Sequence, residues 1–458
     1  MSKNDLRFYI KTFGCQMNRA DTDVLCAVFA DAGMTPAASP DEADLVHIHT
    51  CCVRQKAEDK FYSYLGEMRH LKERKPSFIL GVGGCIPERT EINRSHPFID
   101  YIIGARNPID YTDIINSALI RFNLCSSVVQ SVNSQFAIRN SQFITVIRGC
   151  ANYCSYCIVP YVRGGEMSRT PQEIYDEAAA LTGNGCREVT LLGQNILAYG
   201  EDSEPRRSLI DVIERIHEIE GLRRIRFVTS HPKWVSEDFL ARLKNYPKVC
   251  EHFHVPCQAG DDEILRRMNR RYTAQEYENT ICMIRSHFPD CSITADVIVG
   301  FPGETDEQFQ NTLRLLERLR VDSAYTFKYS VRTGTAAARM PDSVPLHVKK
   351  DRLRILNELQ DCISLEINKT LIGTVQEVMV ESSDPRPKTS IAPALRTPHS
   401  ALRTHNYLGR TRTNKVTDFA SNRSLTSGEI VHVIVKSATP HALVGEIAEE
   451  NQRRVSAF

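Results

Sequence analysis

Residues Phe143 to Arg169 read FITVIRGCANYCSYCIVPYVRGGEMSR. The run Phe143–Ile147 is apolar and β-branched, the pattern of a buried strand. It stops at Arg148 and Gly149, and Cys150, Cys154 and Cys157 follow at spacings of four and three. Three thiolates therefore sit on one short loop and face one point. Structural zinc takes four ligands, and no fourth Cys or His lies nearby at ligand spacing. A [4Fe–4S] cluster accepts three thiolates and keeps one iron open for chemistry. A zinc loop and unpaired core thiols are the alternatives.

This loop resembles the Cys-x3-Cys-x2-Cys signature of the radical S-adenosylmethionine (SAM) enzymes. The resemblance implies that Tyr156, just before the third cysteine, lies against the adenine of SAM.

Downstream, five further runs read as strands with polar ends. Glu188–Leu192 ends at Gly193, Gln194 and Asn195, and Ile225–Val228 ends at Thr229, Ser230 and His231. His252–Val255 ends at Pro256 to Gly260, Ile293–Val299 at Gly300 to Glu304, and Ser323–Lys328 at Tyr329 and Ser330. Thr170 as N-cap and Pro171 at the first position open a helix to Leu181. With the first strand these make six βα units over residues 143–367. That predicts an α/β core built as a partial, open (βα)6 TIM-like barrel, with its strand-end residues at one rim.

Upstream, residues 1–125 repeat a strand followed by a cysteine. Arg7–Thr12 leads to Cys15, Leu45–His49 to Cys51, and Phe78–Val82 to Cys85. Helical patterns lie between them, at Asn18–Ala32 and Lys56–Arg74. Alternating strands and helices predict a parallel sheet, whose ligands gather at the carboxyl ends of the strands. All three cysteines stand at that end, before loops or helix starts that favour thiolate charge. Cys15, Cys51 and Cys85 are therefore read as ligands of a second [4Fe–4S] cluster, against the alternative of three buried cysteines. Cys26, Cys52 and Cys125 lack that placement and are read as structural. The polar stretch 126–142 reads as a linker.

Residues Lys349–Lys369 read as a long amphipathic helix. Beyond it, Ile372–Val380, Glu429–Val435 and Ala442–Ile447 alternate as short strands of a small all-β module, over 370–450. A Pro-, Ser- and Arg-rich insertion runs from Ser383 to Asn406 and continues to Lys415. A basic β-module at a chain end suggests nucleic acid. Arg410, Arg412 and Lys415 are read as phosphate contacts on a turn before Val416.

Composition is compatible with this. The formal net charge is +1, so only local basic patches can speak for a nucleic acid. Fifteen cysteines with no signal peptide fit a reducing cytoplasm and cluster binding better than a disulfide framework. No apolar run is long enough to span a membrane.

Across nearly the whole chain, the residues resemble the radical-SAM methylthiotransferases. The stretches that carry this are Lys11 to Asn18 (KTFGCQMN), Thr50-Cys51, Gly83 to Cys85, Arg148 to Cys150, Val189 to Asn195 (VTLLGQN) and Arg267 to Arg270 (RMNR). Val53-Arg54 and Lys56 to Lys60 resemble the tRNA-directed branch. The resemblance implies an N-terminal cluster domain, a radical-SAM core and a C-terminal TRAM domain. It implies SAM contacts at Gly193, Gln194, Asn195, Gly300 and Glu304. It implies methylthiolation of C2 of N6-dimethylallyladenosine at position 37, in the anticodon loop of tRNA. Two SAM molecules would serve, one as radical source and one as methyl donor, with Cys15, Cys51 and Cys85 carrying the sulfur. A C2 hydrogen is too weakly acidic for a side-chain base, and a radical route avoids that problem. A one-electron donor protein and a sulfur source are implied as partners, and a monomer is expected. Sister enzymes acting on threonylcarbamoyl-adenosine or on a ribosomal protein are the near alternatives. A non-catalytic zinc-containing RNA-binding protein is the distant one. His49, Pro87-Glu88 and the insertion depart from the family pattern without removing a cluster ligand.

Overall fold

The computed structural model describes residues 6–52, 55–88, 91–106, 140–382 and 405–448. Five parallel strands open the chain: β1 (Arg7–Thr12), β2 (Thr35–Pro36), β3 (Leu45–Thr50), β4 (Ile79–Gly84) and β5 (Tyr101–Ile103). Their order is β2-β1-β3-β4-β5. The order reverses between β1 and β3, and in such a sheet that switch point opens a crevice at the carboxyl ends. Strands β3 and β4 are buried along their whole length. Helices Gln16–Asp31 and Gln55–Arg74 flank the sheet, and two apolar clusters, around Phe29 and Phe61, form its core.

The second layer system begins with β6 (Ser141–Thr145). The strand expected from Phe143 starts two residues earlier, inside the stretch read as linker, and it breaks at Val146. From there β7 (Ile147–Arg148) leaves the sheet and pairs antiparallel with β8 (Met167–Ser168), so the cysteine loop is enclosed by a two-stranded clasp. Strands β6, β9 (Glu188–Leu192) and β10 (Arg224–Phe227) form one parallel sheet. Strands β11 (His252–His254), β12 (Ser292–Val299) and β13 (Ser323–Lys328) form another. A parallel bridge between Ile225 and Val249 joins the two. The result is six parallel strands in an open barrel, as expected. Helices with satisfied N-caps pack outside it: Thr170, Thr273 and Thr305 each close a capping box. One apolar cluster, from Ile144 to Leu356, fills the space between strands and helices.

Helix Leu346–Thr370 leads to a closed five-stranded barrel, β14 (Val375–Ser382), β15 (His405–Thr411), β16 (Val416–Ser421), β17 (Ile430–Ala438) and β18 (Leu443–Ile447). The sequence reading missed β15 and β16, which flank the Arg- and Thr-rich turn at 410–415 and were absorbed into the insertion read before it. Strand β15 begins at His405, so the insertion ends earlier than expected; residues 383–404 lie outside the described residues, as do 126–139 and Cys125.

The small barrel seats on the amino ends of the large barrel's strands, and that corrects the reading of its cations. Arg410 pairs with Glu381 at 2.8 Å, Arg412 with Glu251 at 2.5 Å and Lys415 with Asp322 at 2.6 Å. Glu251 precedes β11 and Asp322 precedes β13, so Arg412 and Lys415 are docking residues rather than a free phosphate-binding turn. They also lie at the end of the barrel opposite the cysteine loop. Acidic neighbours absent in sequence are supplied in space. From the other side, Arg224 donates to the Glu377 carboxylate and the Arg410 carbonyl, and Arg226 to the carbonyls of Thr411 and Arg412. Arg226 also pairs with buried Glu188 at 2.8 Å. Removing one member of a buried pair strands the other, so Arg226→Met is expected to destabilise the fold by about 3–5 kcal/mol. A fall in the urea midpoint measures it, and an unchanged midpoint would show that the seat does not depend on this pair.

Among the described residues no helix is long and apolar enough to cross a membrane.

Candidate active site

Cys15, Cys51 and Cys85 follow β1, β3 and β4, and the sheet brings them together at its switch point. Gly14 has φ +113°, and a Cβ there would stand 2.1 Å from the Cys51 Cβ and 2.8 Å from its sulfur. Only glycine lets the first cysteine loop approach the second this closely. Asn18 ties the loops together: its amide donates to the carbonyl of Phe13 at 2.8 Å and to that of Thr50 at 2.6 Å. Cys15 is the N-cap of helix Gln16–Asp31. A hydrogen bond from Cys51 and the Arg163 charge outweigh burial and lower the Cys15 thiol to about 6. Cys85, hydrogen-bonded by Cys52 and by Arg163, is likewise lowered to about 6. Cys52, read from sequence as structural, thus touches the triad.

Cys150, Cys154 and Cys157 lie on the clasped loop. Gly149 has φ +74°, and a Cβ there would meet the Gly165 carbonyl oxygen at 1.8 Å. The Cys150 N–H donates to the Gly164 carbonyl at 3.0 Å, closing the loop at its base. The stretch Arg267–Arg270 holds its crown: Ser155 donates to the carbonyls of Met268 and Arg267, and Asn269 to that of Tyr153. Asn152 donates to the Cys150 sulfur at 3.2 Å and Arg270 to the Cys154 sulfur at 3.3 Å. Burial and the neighbouring Cys154 push the Cys157 thiol up to about 12, and burial also raises Cys150. Tyr156 packs back on the barrel core. Tyr153 and Tyr161 are exposed at the rim, with ring centroids 6.0 Å apart.

Beside Cys15 lies a small apolar patch in which Met17, Ala20 and Leu192 are buried against Cys15, Phe143 and Val228. Beside it is a buried charge node. Asp21 accepts from Arg148 at 2.6 Å and from Arg163 at 3.4 Å, and His49 stands 3.4 Å from it. Burial opposes its ionisation, yet Arg148, His49 and Arg163 hold its carboxyl far below the usual range. This node joins the two domains, since Asp21 belongs to the first and both arginines to the second.

Of the expected SAM contacts, Gly193 packs so closely on Ile147 that a Cβ would clash at 2.4 Å. Gln194 Oε1, Asn195 Nδ2 and Ser230 Oγ are buried at adjacent strand ends without hydrogen-bond partners. Three orphaned polar atoms of both donor and acceptor type, in one place, fit a polar ligand. Glu304 differs from expectation. Its carboxylate accepts from the Gly300 N–H at 2.6 Å and from Arg352 at 2.8 Å, so Glu304 and Gly300 brace the rim.

Each triad offers three thiols and no imidazole or carboxylate, a donor set that suits a [4Fe–4S] cluster with one open iron and falls one short of the four ligands of structural zinc. Sequence reasoning missed Asn18, Asp21, Arg163 and Arg270. Arg148 and Arg163 flank the cysteine loop, and that proximity is the one signal that pointed to them.

Residues 144–316 match the radical SAM superfamily model, and residues 7–104 match a family described as uncharacterized protein family UPF0004. The tRNA-2-methylthio-N(6)-dimethylallyladenosine synthase of Acetivibrio thermocellus is 40% identical over 96% of this chain and 90% of its own. That of Moorella thermoacetica is 39% identical over 98% of this chain and 100% of its own. Among solved structures, the radical S-adenosylmethionine methyltransferase TsrM from Kitasatospora setae superposes with a TM-score of 0.53 at 14% identity. It covers 83% of this chain and 79% of its own, a likeness of fold alone.

Proposed function

The chain belongs to the radical SAM superfamily and, within it, to the tRNA-2-methylthio-N(6)-dimethylallyladenosine synthases, and from that premise we propose how its residues carry the reaction. It is a transferase that replaces the C2 hydrogen of N6-dimethylallyladenosine in tRNA with a methylthio group, using SAM and [4Fe–4S] clusters. The relatives compared above share the dimethylallyl name, so the sister substrates and the zinc-protein reading are not carried further.

The observation that supports the residue assignment is the buried Asp21 node, by which the domain of the first triad meets Arg148 and Arg163 on either side of the second triad's loop. Cys150, Cys154 and Cys157 would hold one cluster, which would supply the electron for reductive cleavage of SAM, and Cys15, Cys51 and Cys85 would hold a second, which would supply the place for sulfur. Asn152 and Arg270 orient and partly neutralise the first set of thiolates. Gln194, Asn195 and Ser230 offer donors and acceptors to SAM. Met17, Phe143, Leu192 and Val228 keep water from the space beside Cys15, which protects a radical from quenching. The target adenine must leave the anticodon-loop stack to reach this space. Exposed Tyr153 and Tyr161 give neighbouring unpaired bases a stacking surface at the mouth. An outside one-electron donor and a sulfur source complete the balance.

Mass spectrometry of tRNA nucleosides from a strain lacking the protein tests the function. The 2-methylthio-isopentenyl nucleoside should vanish, with its unthiolated precursor in its place; its persistence would overturn the reading. At the SAM site, Gln194→Ala removes an orphaned acceptor without breaking any hydrogen bond seen in the fold. It is expected to weaken SAM binding by about 1–1.5 kcal/mol with iron content unchanged. Equilibrium dialysis with SAM measures this, and undiminished affinity would remove Gln194 from the site.

A further inference from the structure

Arg163 belongs to the chain segment of one triad and touches the other. It ends helix Val159–Arg163, directly after the Cys150–Cys157 loop. Yet its guanidinium donates to Asn18 at 3.0 Å, whose side-chain oxygen stands 3.7 Å from the Cys15 sulfur, and to Asp21 at 3.4 Å, and its charge acts on Cys15 and Cys85. The residue is 5% exposed. At this node two guanidiniums, of Arg148 and Arg163, face the single carboxylate of Asp21. The positive balance falls on the side of Cys15 and Cys85. In a buried place, such a balance stabilises an anion far more than it would in water.

We propose that Arg163 is a positioning residue for the sulfur carried at the N-terminal triad: its guanidinium holds the exchangeable anionic sulfur ligand, a hydrosulfide-class species, beside Cys15 and Cys85. This rests on the reading of that triad as the sulfur-carrying site. The planar guanidinium suits the task, because Asn18 and Asp21 fix it through one nitrogen, Nη2, and so hold the plane of its remaining donors. The same anchoring couples the sulfur site to the SAM-side loop, since any shift of helix Val159–Arg163 moves the guanidinium.

The test uses the full reconstituted enzyme reduced with dithionite, with S-adenosylhomocysteine, which can neither donate a methyl group nor be cleaved, in excess to occupy the site at Cys150, Cys154 and Cys157. Sodium hydrosulfide is titrated and binding is read from the electron paramagnetic resonance spectrum. Arg163→Met is expected to raise the hydrosulfide Kd at least tenfold, and Arg163→Lys, which keeps the charge, to restore most of that loss. Asp21→Asn removes the opposing charge and is expected to lower the Kd. A Kd within threefold of the unsubstituted value in Arg163→Met overturns the proposal. So does an Arg163→Lys variant as impaired as Arg163→Met, because packing would then be the cause. Should Arg163→Met fail to take up iron, the Asp21→Asn and Arg163→Lys results decide, and weakened binding in both overturns it. Absence of hydrosulfide binding in the unsubstituted protein defeats the sulfur-carrying reading itself, an outcome distinct from binding that ignores Arg163.

Discussion

A protein carrying Cys15→Ala, Cys51→Ala or Cys85→Ala is expected to form 5′-deoxyadenosine from SAM and to make no methylthio-nucleoside. The geometry separates the two tasks. The loop that holds Cys150, Cys154 and Cys157 is fixed by its own clasp, by Gly164 and by Arg267–Arg270. The orphaned polar atoms of Gln194, Asn195 and Ser230, proposed above to meet SAM, also belong to the barrel. Cleavage of SAM therefore survives, while sulfur has no place to be held. Liquid chromatography of 5′-deoxyadenosine, beside nucleoside analysis of the tRNA, reads both arms. Full product from such a variant would show that the N-terminal triad is not the sulfur site.

The converse substitution, Cys150, Cys154 and Cys157 together to Ala, should abolish SAM cleavage and leave about half of the bound iron, still as [4Fe–4S]. The remaining ligands come from β1, β3 and β4 of a separate sheet with its own core. Three of their supports, Gly14, Asn18 and Cys52, are in the same domain, and Arg163, the one named from the barrel side, is kept in this variant. Iron and sulfide analysis with Mössbauer spectroscopy measures the residue. Loss of all iron from a chain that still unfolds cooperatively would mean that the two sites assemble as one.

The small barrel shows where reading along the chain misleads. Arg410, Arg412 and Lys415 look like a bare basic turn, because no carboxylate adjoins them in sequence. Glu251 and Asp322 reach two of them from residues far away in the chain, and Glu381 reaches the third across a β-ladder. A charge is free or paired only in three dimensions. Glu304 shows the same thing from the other side. It stands at a strand end where the family places SAM contacts, yet Arg352, 48 residues on, takes up its carboxylate.

Sequence alone determined the six βα units, the three-cysteine loop and the strand-then-cysteine repeat of the first domain. Each is local: a period of two or 3.6, a cap, or a ligand spacing within a few residues, which short-range sterics and coordination chemistry impose. It also placed Cys15, Cys51 and Cys85 at one sheet edge, because parallel strands put their carboxyl ends on the same side. Tertiary structure decided the rest. The approach of the two triads depends on Asp21 meeting Arg148 and Arg163 across a domain boundary, and the small barrel's position on Arg224, Arg226 and Lys415. Such contacts join residues separated by more than ninety positions, and buried charges settle only against partners that folding delivers. No pattern within a window of sequence carries that information.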